Sequence, residues 1–336
     1  MGVSISQIVQ GREINLEDLF DKKIAIDSYN WLYQFLSIIR KPDGTPLKDS
    51  SGRVTSHFSG LYYRTLKLLE AGIKPIYVFD GKPVEMKKET TEQRRSVRAE
   101  AKEEWERALE RGDLEAAKKY AQRSTTITEE IVEGSKKLLD AMGIPYVQAP
   151  NEGEALCSVM CRNSDVFAAA SQDYDALLFG SPRLVRNLSI SGRKKRGRDY
   201  VTINPETILL NEVLSRLSLT QEQLIILGIL VGTDYNPGGV PGYGPKKALQ
   251  IVKERKTLKK VFQDLSWSFS VAPEDIFDFF TSPKEIKYEI KFRDIDEEKV
   301  MKLLCDEHEF SAERIENAMK KLKENKKNQS SLSRWV

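Results

Sequence analysis

Two tight pairs of acids stand out: Glu152 and Glu154 in Ala149-Pro150-Asn151-Glu152-Gly153-Glu154-Ala155, then Asp173 and Asp175 in Ser171-Gln172-Asp173-Tyr174-Asp175. Acids so spaced suit a hard cation, and they also suit ordinary caps and turns. Alternate residues of an extended strand share a face, so Asp173 and Asp175, following the apolar run Val166 to Ala170, are predicted to aim two carboxylates at one point. Glu152 and Glu154 precede the run Ala155 to Met160 and read as the loop and first turn of a helix. Asn151 with Glu154 three residues on also fits a capping box, and acids in a first turn are favoured by the helix dipole.

Two earlier runs end the same way, Lys23-Ile24-Ala25-Ile26-Asp27 and Pro75-Ile76-Tyr77-Val78-Phe79-Asp80. Short apolar runs alternating with helical stretches predict a parallel sheet, whose ligands gather at the carboxyl ends of the strands. Asp27, Asp80, Asp173 and Asp175 would then meet at one edge. The helical run Gln223 to Val231 ends at Gly232-Thr233-Asp234 and offers a further carboxylate. Like charges so crowded ionise together only beside a cation, and an all-oxygen donor set suits magnesium or manganese rather than zinc.

The chain that must hold these acids has 336 residues, 40% of them hydrophobic, enough for a sizeable core in one or two domains. Its formal charge of +3 does not by itself announce a nucleic-acid partner. The distribution says more: bases cluster at Lys87 to Arg98, Arg193 to Arg198 and Lys320 to Lys327. Cys157, Cys161 and Cys305 show no framework spacing, which fits a reducing, cytoplasmic setting, and the first two read as small core residues. His57 and His308 give no support to a histidine-based triad. The longest apolar run, Leu224 to Val231, is too short to span a bilayer, and no signal peptide is expected.

Several stretches between the acids carry further signals. The helix expected after Asp27 has aromatics that most simply read as core; Tyr33, about two turns beyond the acidic edge, is open to a second reading, an exposed ring that could stack on a base. From Val84 to Arg123 charge is dense and large apolar residues are few, which describes a self-paired surface helix or one that binds something polar. Lys87, Arg94 and Arg98 are spaced as one basic stripe just past Asp80, which suits a phosphate. In Gly238 to Ala248, Gly242 and Gly244 precede Pro245 at a helix start, which leaves backbone N–H groups free to cradle a phosphate, although a plain turn would look similar. Lys246 and Lys247 in that first turn oppose the dipole and imply an anionic partner. The stretch around Trp267 and Phe277 to Phe280 carries no chemical motif, and Lys320 to Asn328 reads as a flexible end.

Taken in order, Ile26-Asp27, Val78 to Pro83, Ala149 to Ala155, Asp173-Tyr174-Asp175, Gly232 to Tyr235 and Gly242 to Ala248 closely resemble the archaeal flap endonucleases, structure-specific 5′ nucleases. The resemblance covers essentially the whole chain. It implies an α/β, PIN-like nuclease domain: a central, mostly parallel sheet flanked by helices, with a helical arch and a helix-two-turn-helix that grips duplex DNA. It divides the chain into an N-terminal nuclease region (1–98), the arch continuation (99–121), an internal nuclease region with the helix-two-turn-helix (122–258), C-terminal helices (259–322) and a flexible tail (323–336). The implied activity is two-metal cleavage at the base of 5′ flaps, with 5′-3′ exonuclease activity, in Okazaki-fragment maturation and repair.

By the same resemblance Asp27, Asp80, Glu152, Glu154, Asp173, Asp175 and Asp234 hold two Mg2+, for which Mn2+ can substitute. Lys87 and Arg94 serve the scissile phosphate, Tyr33 stacks, and K+ is associated with the helix-two-turn-helix. Family members place Gly2 near the site once methionine is removed. Pro241 and Tyr243 stand where relatives usually carry a basic and an aliphatic residue. Gln329, Leu332, Trp335 and Val336 resemble the box that binds the replication sliding clamp (PCNA), with Val336 replacing an aromatic. The expected partners are branched DNA with 5′ flaps and the clamp, the free protein being a monomer. Two rivals are a sister nuclease that cuts bubbles or junctions, disfavoured by the compact segment between Asp80 and Glu152, and a non-catalytic clamp-tethered adaptor, which would have no use for the acids.

Overall fold

The apolar runs that end in aspartate form neighbouring strands. In the computed structural model, which describes residues 2–190, 192–196 and 199–332 (193–196, 199–200 and 326–332 by backbone alone), the main sheet has seven strands in the order β1-β9-β6-β5-β2-β3-β4. These are β1 Arg12–Glu13, β2 Lys23–Asp27, β3 Lys74–Phe79, β4 Tyr146–Gln148, β5 Ala168–Ala170, β6 Arg183–Arg186 and β9 Glu206–Leu209. The pairs β4-β3, β3-β2, β2-β5 and β5-β6 are parallel, while β9 is antiparallel to both β6 and β1. A separate hairpin joins β7 Gly192–Arg196 to β8 Asp199–Ile203.

Alternation along the strands divides the core into two layers. Ala25, Ile76, Val78, Ala169 and Leu184 face one cluster, and Ile24, Ile26, Tyr77, Phe79, Ala168, Ala170 and Val185 face the other. The second face is covered by α1 Ser28–Ile38, α2 Ser56–Glu70 and α5 Glu129–Ala141; α6 Gly153–Arg162 and α7 Asp175–Leu178 cover the first. Between α2 and α5, α3 Lys88–Glu110 and α4 Leu114–Arg123 pack against each other as a helical hairpin. Their buried faces are lined by Ala101, Ala108, Ala117 and Ala121, small residues that let two otherwise charged helices approach. The expected surface pairing is present, Arg107 reaching Glu103 at 3.6 Å and Glu104 at 2.5 Å.

The remaining helices are α8 Leu210–Leu217, α9 Gln221–Val231, α10 Pro245–Arg255, α11 Leu258–Phe262, α12 Pro273–Thr281, α13 Glu297–Met301 and α14 Ala312–Leu332. Every residue of α9 from Leu224 to Leu230 is buried, so its all-round apolar character marks a core helix. Among the described residues no single helix is long and apolar enough to cross a membrane. The backbone of α14 stays helical through the lysine-rich run expected to be flexible, consistent with the good helix propensity of Lys, Glu and Gln. Trp335 and Val336 lie outside the described residues.

Candidate active site

Five elements bring acids to the carboxyl edge of the sheet: β2, β3, α6, α7 and the turn after α9. Asp27 closes β2 and caps α1, its Oδ1 accepting from the Asn30 backbone N–H at 3.1 Å. Asp80 follows β3 and accepts from the Gly153 N–H at 2.6 Å, which ties it to the start of α6. The two loops touch closely: a Cβ at Gly81 would lie 2.1 Å from the Ala149 carbonyl oxygen, so no other residue fits there.

Two local readings change. The strand before Asp173 stops at Ala170; Asp173 lies in a bend and Asp175 is the first residue of α7. Strand alternation therefore does not aim this pair, because the chain must turn into α7 before it can bury Ala176 to Phe179 in the core. The capping box at Asn151 is also absent: the N-cap of α6 is Glu152, with no side-chain cap bond. Glu154 instead turns inward, where its Oε1 accepts from the Ala176 N–H at 3.1 Å and links α6 to α7. Asp173 receives the Asn30 side-chain amide at 3.4 Å, and Asp175 Oδ1 receives the Val3 N–H at 2.6 Å.

Crowding leaves a clear electrostatic mark. Burial, followed by repulsion from Asp80, Asp173 and Glu152, holds the Asp27 carboxyl well above its ordinary range. Burial and the Glu152 charge push Asp80 up to about 6. Burial, with Asp234 and Asp173 nearby, pushes Asp175 up to about 7. Glu154 is likewise raised by burial and then by Asp175, Asp173 and Asp27. A cluster that resists ionisation in this way is short of positive charge.

Part of the deficit is met by the basic stripe. Lys87 Nζ lies 2.5 Å from Glu152 Oε2 and 3.2 Å from Asp234 Oδ2, and Arg94 Nη2 lies 2.5 Å from Asp234 Oδ1. Burial opposes the charge on Lys87, but Glu152 and Asp234 outweigh it and raise its pKa. For Asp234 burial acts upward and is overcome by Lys87, the amino-terminal charge and Arg94, so its carboxyl sits below the usual range. Among the described residues no three His, Cys, Asp or Glu side chains yet converge as a finished ligand set. The donors are nonetheless all oxygen and mutually repelling, which fits a hard divalent cation.

Asp27, Asp80, Glu152, Glu154, Asp173, Asp175, Asp234, Lys87 and Arg94 are thus brought together. No hydrogen bond or ion pair links these acids to Tyr33, Arg98, Gly242, Gly244, Lys246 or Lys247 among the described residues. Tyr33 is 38% exposed on α1. Gly244 is the N-cap of α10 with open space where a Cβ would stand, and Lys247 lies over the Tyr243 ring at 4.5 Å. Gln329 and Leu332 fall on α14, in its part described by backbone alone.

Sequence reasoning missed several supports. Asn236 is fully buried; its Oδ1 accepts from the Thr233 N–H (3.1 Å) and hydroxyl (2.7 Å), and its Nδ2 donates to the Ile229 carbonyl (2.7 Å), fixing the turn that presents Asp234. Thr90 on α3 donates to the Asp234 carbonyl at 2.6 Å. Tyr235 stands under Lys87, 5.4 Å from its ammonium, and packs on Phe279 and Phe280. Asn236, two residues beyond Asp234, was open to reading as a turn anchor. The contacts of Thr90, Phe279 and Phe280 are long-range and leave no local pattern.

Residues 1–101 match the XPG N-terminal domain and residues 143–234 the XPG I-region. The chain is 56% identical to flap endonuclease 1 of Pyrococcus furiosus, covering 100% of this chain and 99% of that protein. It is 48% identical to flap endonuclease 1 of Thermofilum pendens, again over 100% of this chain and 99% of the relative. Among solved structures, flap endonuclease-1 from Methanococcus jannaschii superposes with a TM-score of 0.76 at 41% identity, covering 98% of this chain and 100% of that one. The catalytic core of Rad2 in complex with DNA substrate shares the fold, with a TM-score of 0.72 at 23% identity over 96% of this chain and 100% of that one.

Proposed function

Since the chain belongs to the flap endonuclease 1 family, we propose that it hydrolyses phosphodiester bonds at the base of 5′ flaps in branched DNA, with an accompanying 5′-3′ exonuclease activity. The observation that carries the reading beyond family membership is the gathering of acids from five elements, Asp234 after α9 among them, with Lys87 and Arg94 at one sheet edge. Lagging-strand maturation and DNA repair inside the cell are the setting this activity implies.

Enzymes of this family depend on divalent metal ions. In this reading two magnesium ions, or manganese in their place, are held by Asp27, Asp80, Glu152, Glu154, Asp173, Asp175 and Asp234, directly or through water. Bound there, they would supply an activated water and positive charge for the leaving oxygen. The chain's own residues do the rest. Lys87 and Arg94 sit where a phosphodiester would approach the acids and meet the charge that grows on it in the transition state. Tyr33, exposed on α1, offers a ring to an unpaired base. The α3–α4 hairpin, which starts beside Lys87 and returns to the body at Arg123, would be the arch through which a single-stranded flap passes.

Gly242, Gly244, Lys246 and Lys247 offer backbone N–H groups and charge to a duplex phosphate, and potassium would bind within that turn. The protein would act as a monomer when free and be tethered to the sliding clamp through Gln329, Leu332, Trp335 and Val336. A magnesium-dependent cleavage assay on 5′-flap, bubble and four-way-junction DNA tests the activity. Cutting confined to the flap is expected; preferential cutting of bubbles or junctions, or binding without cleavage, would refute it.

A further inference from the structure

We propose that Arg186 is a positioning residue for this reaction: with Glu206 it holds the Gln172–Tyr174 turn in place and thereby sets Asp173 and Asp175 for metal. The proposal rests on the nuclease reading above. Arg186 ends β6 and lies directly opposite Glu206 on β9. Its Nε donates to the Gln172 carbonyl at 3.1 Å, and its Nη1 donates to the Tyr174 hydroxyl at 2.6 Å and to Glu206 Oε2 at 3.1 Å. The guanidinium also lies over the Tyr174 ring, 4.2 Å from its centroid. One side chain therefore grips the residues on both sides of Asp173.

The grip matters because the sheet ladder has already ended. The last ladder-like contact is Ser171 N–H to the Val185 carbonyl at 3.3 Å, and helical bonding resumes only with Leu177 N–H to the Tyr174 carbonyl. Between them Asp173 is held by a long 3.4 Å bond from Asn30 and by its own N–H to the Ser171 hydroxyl at 3.2 Å. Glu206 is itself fixed, its Oε1 accepting from the Gly11 N–H at 3.0 Å. The result is a chain of contacts from the N-terminal segment through Glu206 and Arg186 to the turn. Groups that orient metal ligands typically matter by about 10- to 100-fold in metal affinity. A lysine keeps the charge but lacks the planar fork that reaches a carbonyl, a hydroxyl and a carboxylate at once.

The test compares wild type with Arg186→Lys, Arg186→Met and Tyr174→Phe. It measures Mn2+ binding by electron paramagnetic resonance, the Mg2+ concentration for half-maximal single-turnover flap cleavage, flap-DNA affinity in EDTA, and Tm. Both Arg186 variants should lose about 10- to 100-fold in Mn2+ affinity and need correspondingly more Mg2+, with Tyr174→Phe between them and wild type and flap affinity in EDTA unchanged. Wild-type Mn2+ binding in Arg186→Met, full rescue by lysine, or an equal loss of flap affinity would each overturn the proposal. If wild type bound Mn2+ but cut no flap, the nuclease reading would fall, while Mn2+ binding would still decide the role of Arg186.

Discussion

Replacing Asp175 by asparagine should stabilise the metal-free protein while destroying its catalysis. The carboxyl is buried and pushed from 3.8 up to about 7, chiefly by burial and then by Asp234. Because the folded pKa is raised, the native state holds its proton longer than the unfolded chain does. The stability this group contributes is fully present below pH 3.8 and is lost as pH rises through about 7. At about 1.4 kcal/mol per pH unit, the charged form costs ~4 kcal/mol above that window. Neighbouring acids relax when one charge is removed, so about 2 kcal/mol is expected for Asp175→Asn at pH 8 in EDTA. Asparagine keeps an oxygen to accept the Val3 N–H, so the 2.6 Å contact is not sacrificed. With an unfolding entropy of about 2 cal/mol/K per residue, that is ~3 °C in Tm. Scanning calorimetry from pH 4 to 8 in EDTA should show the gain growing with pH and vanishing near pH 4. Magnesium should raise the Tm of wild type far more than that of the variant, which should not cleave yet should bind flap DNA through phosphate contacts elsewhere. A variant less stable than wild type at pH 8 in EDTA would refute the electrostatic account of the cluster.

Arg94→Ala removes a cation that now meets Asp234 at 2.5 Å; single-turnover cleavage should fall by about 100-fold or more with flap affinity nearly unchanged, and equal losses in both would make Arg94 an ordinary backbone contact. Deleting residues 329–336 should leave cleavage of a free flap intact and abolish stimulation by the cognate sliding clamp, because Leu332 and Trp335 are spaced to anchor in a hydrophobic groove. Full-affinity clamp binding by the truncated chain, measured by surface plasmon resonance, would show that the tether lies elsewhere.

The parts of the site legible in the sequence were those encoded locally. Ile24 to Asp27 and Ile76 to Asp80 announce strands that stop at an acid, and parallel pairing puts their ends together. Pro245 after glycines announces a helix start, as found at α10. At Asp173 and Asp175 the local pattern misleads, since three alanines followed by a short α7 read much like one extended run. Side-chain partners chosen across long sequence separations left no trace: Glu154 with Ala176, Asp175 with Val3, Arg186 with Glu206, and Tyr235 with Phe279. Such contacts follow from which elements pack, and packing is decided by burial over the whole chain rather than by spacing within a motif.

The distribution of charge explains why the acids and their counter-cations come from different kinds of element. Asp27, Asp80, Glu154 and Asp175 are anchored to β-strand ends and buried helix starts, where burial raises their pKa values and fixed backbone N–H groups orient several of them. Lys87 and Arg94 instead project from the start of a hairpin whose helices carry few large apolar contacts. A rigid edge that wants positive charge is faced by cations on an element tied to it by those same ion pairs and by Thr90. Divalent metal and a DNA phosphate would compete for both halves of these pairs, the metal for the carboxylates and the phosphate for Lys87 and Arg94. Loading the site would therefore loosen the hold of Asp234 on the hairpin and transfer it to the substrate. If these acids hold metal as proposed, binding would restore at neutral pH the stability that their crowding withholds, and would so couple the fold to the ion.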